Sequence, residues 1–293
     1  MTYKRSLGET VFSWFNTCFM LLLCFVTLYP FIYILFASLS NPTEMAQFRG
    51  MLFSPLGFSL DAYKAVLENP MVTTGYRNTL FYVIVGTAIN LIMTTLGAYA
   101  LSRRNVYFKN HIMFYIVITM VFSGGLIPSF LLVNNLGMLN TPWALLLPGA
   151  INSFNLIIMR TAFQGIPPSL EESARIDGAN DWVIMVRIII PLSMPVIAVM
   201  ILWYAVGHWN SYFSALIYLR DRELFPLQLV LREILISNST DSMMTGAATG
   251  DRTDIGITIK YATIIVSTLP ILILYPFLQK YFVHGVMIGA LKE

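Results

Sequence analysis

Charge is what this sequence has least of. Only 11% of its 293 residues are Asp, Glu, Lys or Arg, against about a quarter in a soluble domain. Hydrophobic residues make up 57%, and mean hydropathy is +0.69. Such a chain is suited to a bilayer rather than to water. The net charge of +3 gives no reason to expect nucleic acid as a partner. Cysteine is equally scarce. Cys18 and Cys24 fall six positions apart in the first apolar run, on different sides of a helix, so neither a disulfide nor a metal site is expected. His111, His208 and His284 form no motif. The chain has no HExxH, GxSxG or C-x-x-C, and no G-x-x-x-x-G-K-[ST] loop to cradle phosphates. It is therefore expected to bind no metal or cofactor and to catalyse nothing covalent, and any energy it uses has to come from a partner.

What is present is apolar sequence, punctuated. Periodicity and breakers predict an all-α integral membrane protein, a single transmembrane domain over 1–293 with six spans at about 13–39, 76–101, 111–133, 142–163, 191–219 and 258–283. The first is too long for the apolar core of a removable signal and is expected to be retained. Gly124-Gly125 and Pro128 predict a bend or break in the third; the fourth carries Pro148, and the sixth contains Pro270 and Pro276. With both termini inside, that side carries Lys4, Arg5, Arg103, Arg104, Lys109, Arg160, Arg175, Arg187, Lys280 and Lys292, ten of the eighteen basic residues. The bias places the termini in the cytoplasm.

No Asp or Glu falls within any of the six spans. Intramembrane acids mark proton and ion relays, so a proton-coupled carrier is disfavoured. The spans instead carry prolines, glycines and the amides Asn78, Asn90, Asn152 and Asn155, which suit either a water-lined path or ordinary helix-packing kinks. The fifth is the most polar, with Trp203, Tyr204, His208, Trp209, Asn210 and Tyr212. Aromatic faces beside amides suit a sugar, making Tyr204, Trp209, Asn210, Tyr212 and Asn152 candidates for a substrate pathway. The same residues equally fit an interfacial aromatic belt.

Between spans four and five lies the longest polar amphipathic stretch, Pro167 to Pro195. Ser169 with Glu172 reads as a capping box opening a short helix that runs to Asp177. Gly178 stands where a left-handed terminating residue is wanted, and Asn180 caps a second helix that ends or kinks at Pro191. Ile166, Leu170 and Ala174 can share a face, and Glu171 with Arg175 is spaced as an i,i+4 surface pair. These features define a helix, a glycine turn and a helix outside the membrane, with 167–190 as the loop.

Glu172-Ser173-Ala174, three residues, Gly178, nine residues, Ile188, one residue, then Ile190-Pro191: this spacing resembles the EAA loop of ABC-importer permeases, with Ser173 for the first alanine and Ile190 for the leucine. Asn41-Pro42, Phe58-Ser59-Leu60, Asn78-Thr79, Arg103, Ile127-Pro128 and Leu136-Gly137 extend the resemblance along the chain, as do Tyr281-Phe282-Val283 and Gly289-Ala290. They point to the carbohydrate-uptake branch, maltose-permease-G-like and similar to importers of acidic oligosaccharides such as alginate. The resemblance implies a type I importer permease fold in the bacterial cytoplasmic membrane. It implies that Glu171, Glu172, Ser173, Ala174, Arg175, Asp177, Gly178, Ala179 and Pro191 couple the chain to an ATPase. It further implies a second homologous permease in a heterodimer, two cytoplasmic ATPase subunits holding ATP and Mg, an external solute-binding protein, and surrounding membrane lipid. A stand-alone carrier or channel remains the alternative from the residues alone.

Overall fold

The computed structural model describes residues 7–103, 105–237 and 256–273. Helix α1 (Leu7–Ser38) has no charged residue after Glu9, and its apolar side chains are exposed all round, as in a helix solvated by lipid. Its 32 residues reach about 48 Å, more than the ~30 Å hydrocarbon core needs. Asn41 then caps α2 (Pro42–Gln47), its Oδ1 accepting from the Thr43 amide at 3.0 Å. The following segment folds back on α1: the Leu52 amide donates to the Tyr29 hydroxyl and the Leu56 amide to Ser40 Oγ, both at 3.0 Å. Helix α3 (Asp61–Glu68) closes this part, with Tyr63 Oη 2.7 Å from Ser38 Oγ.

Helix α4 (Pro70–Ser102) has no proline after its first position and runs unbroken for 33 residues. One side of it is buried along its length through Thr79, Gly86, Asn90, Thr94 and Ala98. Beyond it the chain is interrupted repeatedly. Helices α5 (Lys109–Val121) and α6 (Leu126–Asn135) meet at 114°, at the expected glycines, with Gly125 at φ 87°. Helix α7 (Trp143–Leu146) is a single turn, and after Pro148 the chain resumes as α8 (Ser153–Gln164). Helices α9 (Pro168–Ile176) and α10 (Asp181–Ile184) follow, then a π-helical turn Met185–Ile189, α11 (Ile190–Leu192) and α12 (Met194–Trp209). After a break come α13 (Phe213–Tyr218), a 3-10 turn Arg222–Leu224 and α14 (Leu227–Ser237), and finally α15 (Gly256–Ile273).

The described residues make two compact units, one up to Asn69 with Glu233–Leu269, the other from Pro70 to Arg232 with 270–273. In the first, Ala37, Met45 and Leu52 are buried among Tyr33, Phe36 and Tyr261. In the second, α4, α8 and the segment from α10 to α12 enclose Ala98, Met159, Phe163, Ile184, Ile189 and Met200. Gly97 permits part of that packing, since a Cβ there would lie 3.1 Å from Leu156 Cδ1. The start of α4 is stitched to the chain near α14: Asn78 Nδ2 donates to the Glu223 and Phe225 carbonyls at 2.6 and 3.0 Å, and the Leu227 amide to Thr79 Oγ1 at 2.8 Å.

Among the described residues three helices are long and apolar enough to cross a membrane, α1, α4 and α15, and two bent pairs would bring the number to five. The stretch expected as a fourth span is instead a single turn and a 12-residue helix separated at Pro148. The expected fifth is bent by 83° between Asp181–Leu192 and Met194–Trp209. Pro191 cannot donate to Arg187, nor Pro195 to Pro191. The helix widens into the π turn before the first proline and breaks at Ser193 between the two. Of the sixth, residues 274–283 lie outside the described residues. So do Lys4, Arg5, Arg104, His284, Lys280, Lys292, residues 238–255, and the C-terminal resemblance residues.

Candidate functional site

Pro167 occupies the N-cap of α9 and Pro168 its first position, with no side-chain capping bond. The capping box expected from Ser169 and Glu172 is therefore not formed. Two prolines with φ already near the helical value start the helix two residues earlier, and Glu172 points to solvent. The C-terminal end matches expectation in detail. The Gly178 amide donates to the Arg175 carbonyl at 3.0 Å and the Ala179 amide to Ala174 at 2.9 Å, the paired bonds of a Schellman motif. Gly178 has φ +82°, and no atom lies within 4 Å of a Cβ placed on it. Backbone conformation alone demands glycine here, and the space beside it is open. Asn180 Oδ1 accepts from the Val183 amide at 2.9 Å and starts α10, with Asp181 in its first turn.

A chain of ion pairs fastens this unit to the end of α4. Arg103 pairs with Glu171; Glu171 Oε1 accepts from Arg175 Nη2 at 3.0 Å; and Arg175 also pairs with Asp181. The Arg103 and Glu171 side chains are only 16% and 19% exposed, whereas those of Arg175 and Asp181 are 49% and 66% exposed. The Arg103 guanidinium lies 4.9 Å from the centroid of the Tyr99 ring and donates to Ser102 Oγ at 3.0 Å. Hydrogen bonds donated to the Glu171 and Asp181 carboxylates hold the Arg175 guanidinium above its usual basicity. Arg160 Nε donates to the Leu101 carbonyl at 2.9 Å and Lys109 Nζ to Arg103 at 3.0 Å, so three cations gather where α4 leaves its last carbonyls unpaired. A cavity of about 650 Å³ opens beside them, lined by Arg103, Asn105, Lys109, Glu171 and Glu172 among others.

The face expected for Ile166, Leu170 and Ala174 is split. Ile166, Ala174 and Ala179 pack against the core that holds Phe163 and Ile184, while Leu170 is 43% exposed. The apolar side chains that α9 and α10 leave exposed are Leu170, Ile176 and Trp182. Sequence reasoning also missed Arg103, because spacing along α9 shows Glu171 only its own helix. Its signals were an arginine just past a long apolar run and a place among the resemblance residues. Ser173 and Asp177 are exposed, Asp177 at the C-cap, and Pro191 is exposed in α11.

The candidate pathway residues do not form one cluster. Tyr204 is buried, with Oη 2.7 Å from Thr94 Oγ1, and accepts from the Asn152 amide at 3.4 Å. Asn152 itself caps α8, its Oδ1 accepting from Asn155 at 3.1 Å. Asn90 Nδ2 donates to the Gly149 and Ala150 carbonyls at 2.6 and 3.0 Å, and its Oδ1 lies 2.7 Å from His208 Nε2. These bonds satisfy the backbone freed where Pro148 breaks the chain. Gly86 admits the His208 ring, since a Cβ there would meet its Nε2 at 2.5 Å. Trp209 is buried against Tyr76, its indole N–H without a hydrogen-bond partner among the described residues, Asn210 is exposed at the C-cap of α12, and Tyr212 is 42% exposed. No group of His, Cys, Asp and Glu among the described residues could hold a metal ion.

Residues 93–288 match the family described as binding-protein-dependent transport system inner membrane component. The sequence is 42% identical over 281 residues to the polygalacturonan/rhamnogalacturonan transport system permease protein YtcP of Bacillus subtilis (strain 168), spanning 94% of this chain and 96% of that one. It is 44% identical over 271 residues to Protein LplC of the same organism, spanning 91% and 90%. Among solved structures, it superposes with a TM-score of 0.88 and 35% identity, over 96% of this chain and 100% of the other, on a chain from a bacterial ABC transporter involved in the import of the acidic polysaccharide alginate.

Proposed function

The chain belongs to the family of binding-protein-dependent transport system inner membrane components, and from that premise we propose that it carries an acidic oligosaccharide as one of two permease subunits in an ATP-driven importer. It is a permease of the ABC-importer type and a transport subunit rather than an enzyme. A stand-alone carrier is not favoured in a family whose transport depends on a binding protein. The relatives named for galacturonan and alginate transport support an acidic sugar polymer as the substrate class.

The partners are a second homologous permease, two ATPase subunits and an external binding protein, and both termini lie in the cytoplasm. The ATPase meets the chain at 167–190. One observation carries this part of the reading: α9 and α10, joined by the Gly178 turn, are fastened to the end of α4 through Glu171 and Arg103. Exposed Leu170, Ile176 and Trp182 supply the docking surface, with Glu172, Ser173 and Asp177 at its rim. Ala174 and Ala179 keep the pair against the core, and Pro191 with its π turn forms the joint to α12. A push on α9 therefore reaches α4 by a half-buried ion pair. Tyr204, Trp209, Asn210, Tyr212 and Asn152 belong to the half of the pathway that this chain contributes.

Replacing Gly178 with tryptophan tests the docking. A side chain at φ +82° strains the turn by about 1 kcal/mol or more and fills the open space beside it. Gly178→Trp is expected to insert normally, to lose ATPase association in pull-down from membranes, and to abolish uptake. Wild-type coupling of uptake to hydrolysis in that variant would overturn the reading.

A further inference from the structure

The break between α12 and α13 leaves one group that neither packing nor coupling uses. Arg232 on α14 holds its guanidinium 5.9 Å from the centroid of the Tyr212 ring. It is half-buried, and it takes part in none of the three ion pairs found among the described residues, all of which lie in the Arg103–Asp181 chain. A half-buried cation with no counter-ion among the described residues is costly, and a cation–π contact offsets only part of that cost. The surroundings are suited to a ligand. Tyr212 offers a ring 42% exposed, and Asn210 is exposed two residues before it.

We propose that Arg232 and Tyr212 form a uronate subsite on the translocation path, an assignment that rests on reading the chain as an acidic-oligosaccharide permease. The guanidinium fork takes the sugar carboxylate bidentately. The Tyr212 ring receives the apolar face of the pyranose, and the Asn210 amide is in sequence reach of its hydroxyls. A neutral sugar would stack on Tyr212 and leave Arg232 without its anion, so the pair selects for acidic units. The site lies on residues contributed by α12, α13 and α14, away from the ATPase-facing helices, and adds Arg232 to a pathway that sequence spacing assigned only to aromatics and amides.

The test uses the assembled importer in liposomes, with binding protein outside and trigalacturonate or its carboxyl-reduced, neutral counterpart as probe. Arg232→Gln is expected to lower maximal trigalacturonate uptake about tenfold or more, the loss of one charge-assisted contact, while the binding-protein concentration giving half-maximal rate stays within about twofold. Arg232→Lys is expected to recover part of the rate, and Tyr212→Ala to lower it. Wild-type uptake by Arg232→Gln overturns the subsite. So does a defect cured by more binding protein, which would assign Arg232 to that protein's docking instead. Should Arg232→Gln fail to co-purify with its partners, Arg232→Lys and Tyr212→Ala decide by the same comparison. If the wild-type importer moves only the neutral probe, the acidic-substrate reading fails and the subsite with it, whereas a competent wild type beside unaffected variants removes the subsite alone.

Discussion

Helix α4 is held in two places by opposite chemistries. At its C-terminal end the fastening is ionic, Arg103 to Glu171, with both side chains less than a fifth exposed. Halfway along it is neutral: Asn90 to two carbonyls and His208, and Thr94 to Tyr204. The difference follows from position. In the middle of a bilayer a charge has no water to fall back on, so amides, hydroxyls and a histidine do the joining. At the end of the helix, water and headgroups bear part of the desolvation cost, and a charged link becomes affordable in energy and directional in geometry. The neutral joint preserves a broken helix; the ionic joint ties a helix to the helix–turn–helix that follows α8.

Three substitutions probe that contrast, in falling order of expected effect. Asn90→Leu removes the donor to the Gly149 and Ala150 carbonyls and the partner of His208, leaving several buried groups unpaired. At about 1–3 kcal/mol per orphaned group, the purified protein is expected to lose about 3 kcal/mol and to melt well below wild type. A melting temperature within a degree or two of wild type would mean that the amide network is ornamental. Glu171→Gln keeps shape but removes charge from the α9–α4 link. Between the cost of an exposed pair and that of a fully buried one, about 1–2 kcal/mol is expected, with a rise in ATP hydrolysed per sugar carried. The exchange Arg103→Glu with Glu171→Arg is expected to recover much of the coupling, and its failure to do so would assign Glu171 to the ATPase alone. Asp181→Asn touches only the exposed end of the chain, where Arg175 keeps Glu171, and should cost about 0.5 kcal/mol or less. A loss as large as that of Glu171→Gln would show that the whole ion-pair chain acts as one unit.

How much of this was legible in the sequence depended on range. Gly178 at a positive φ and Asn180 as a cap were readable because each is settled within five residues by backbone geometry. The capping box at Ser169 failed for an equally local reason, the prior claim of Pro167 and Pro168 on the helix start. Leu170 was misplaced because helical periodicity identifies residues sharing a face but not which face meets the core. Pro148 stood in the expected fourth span, but nothing local showed that Asn90, 59 positions before Gly149, would satisfy the Gly149 and Ala150 carbonyls.

The amino-acid sequence by itself determined that the chain belongs in a bilayer, that its helices would be broken at particular prolines and glycines, and that a helix–glycine–helix element would stand outside the apolar spans. Those outcomes rest on local composition, backbone conformation and the scarcity of charge. Only the tertiary structure decided that Glu171 rather than Glu172 faces inward to Arg103, that Asn90 repairs the backbone near Pro148, and that Arg232 meets the Tyr212 ring. Each joins residues tens of positions or more apart, except the last at twenty, and such pairings arise from helix packing that no local rule encodes.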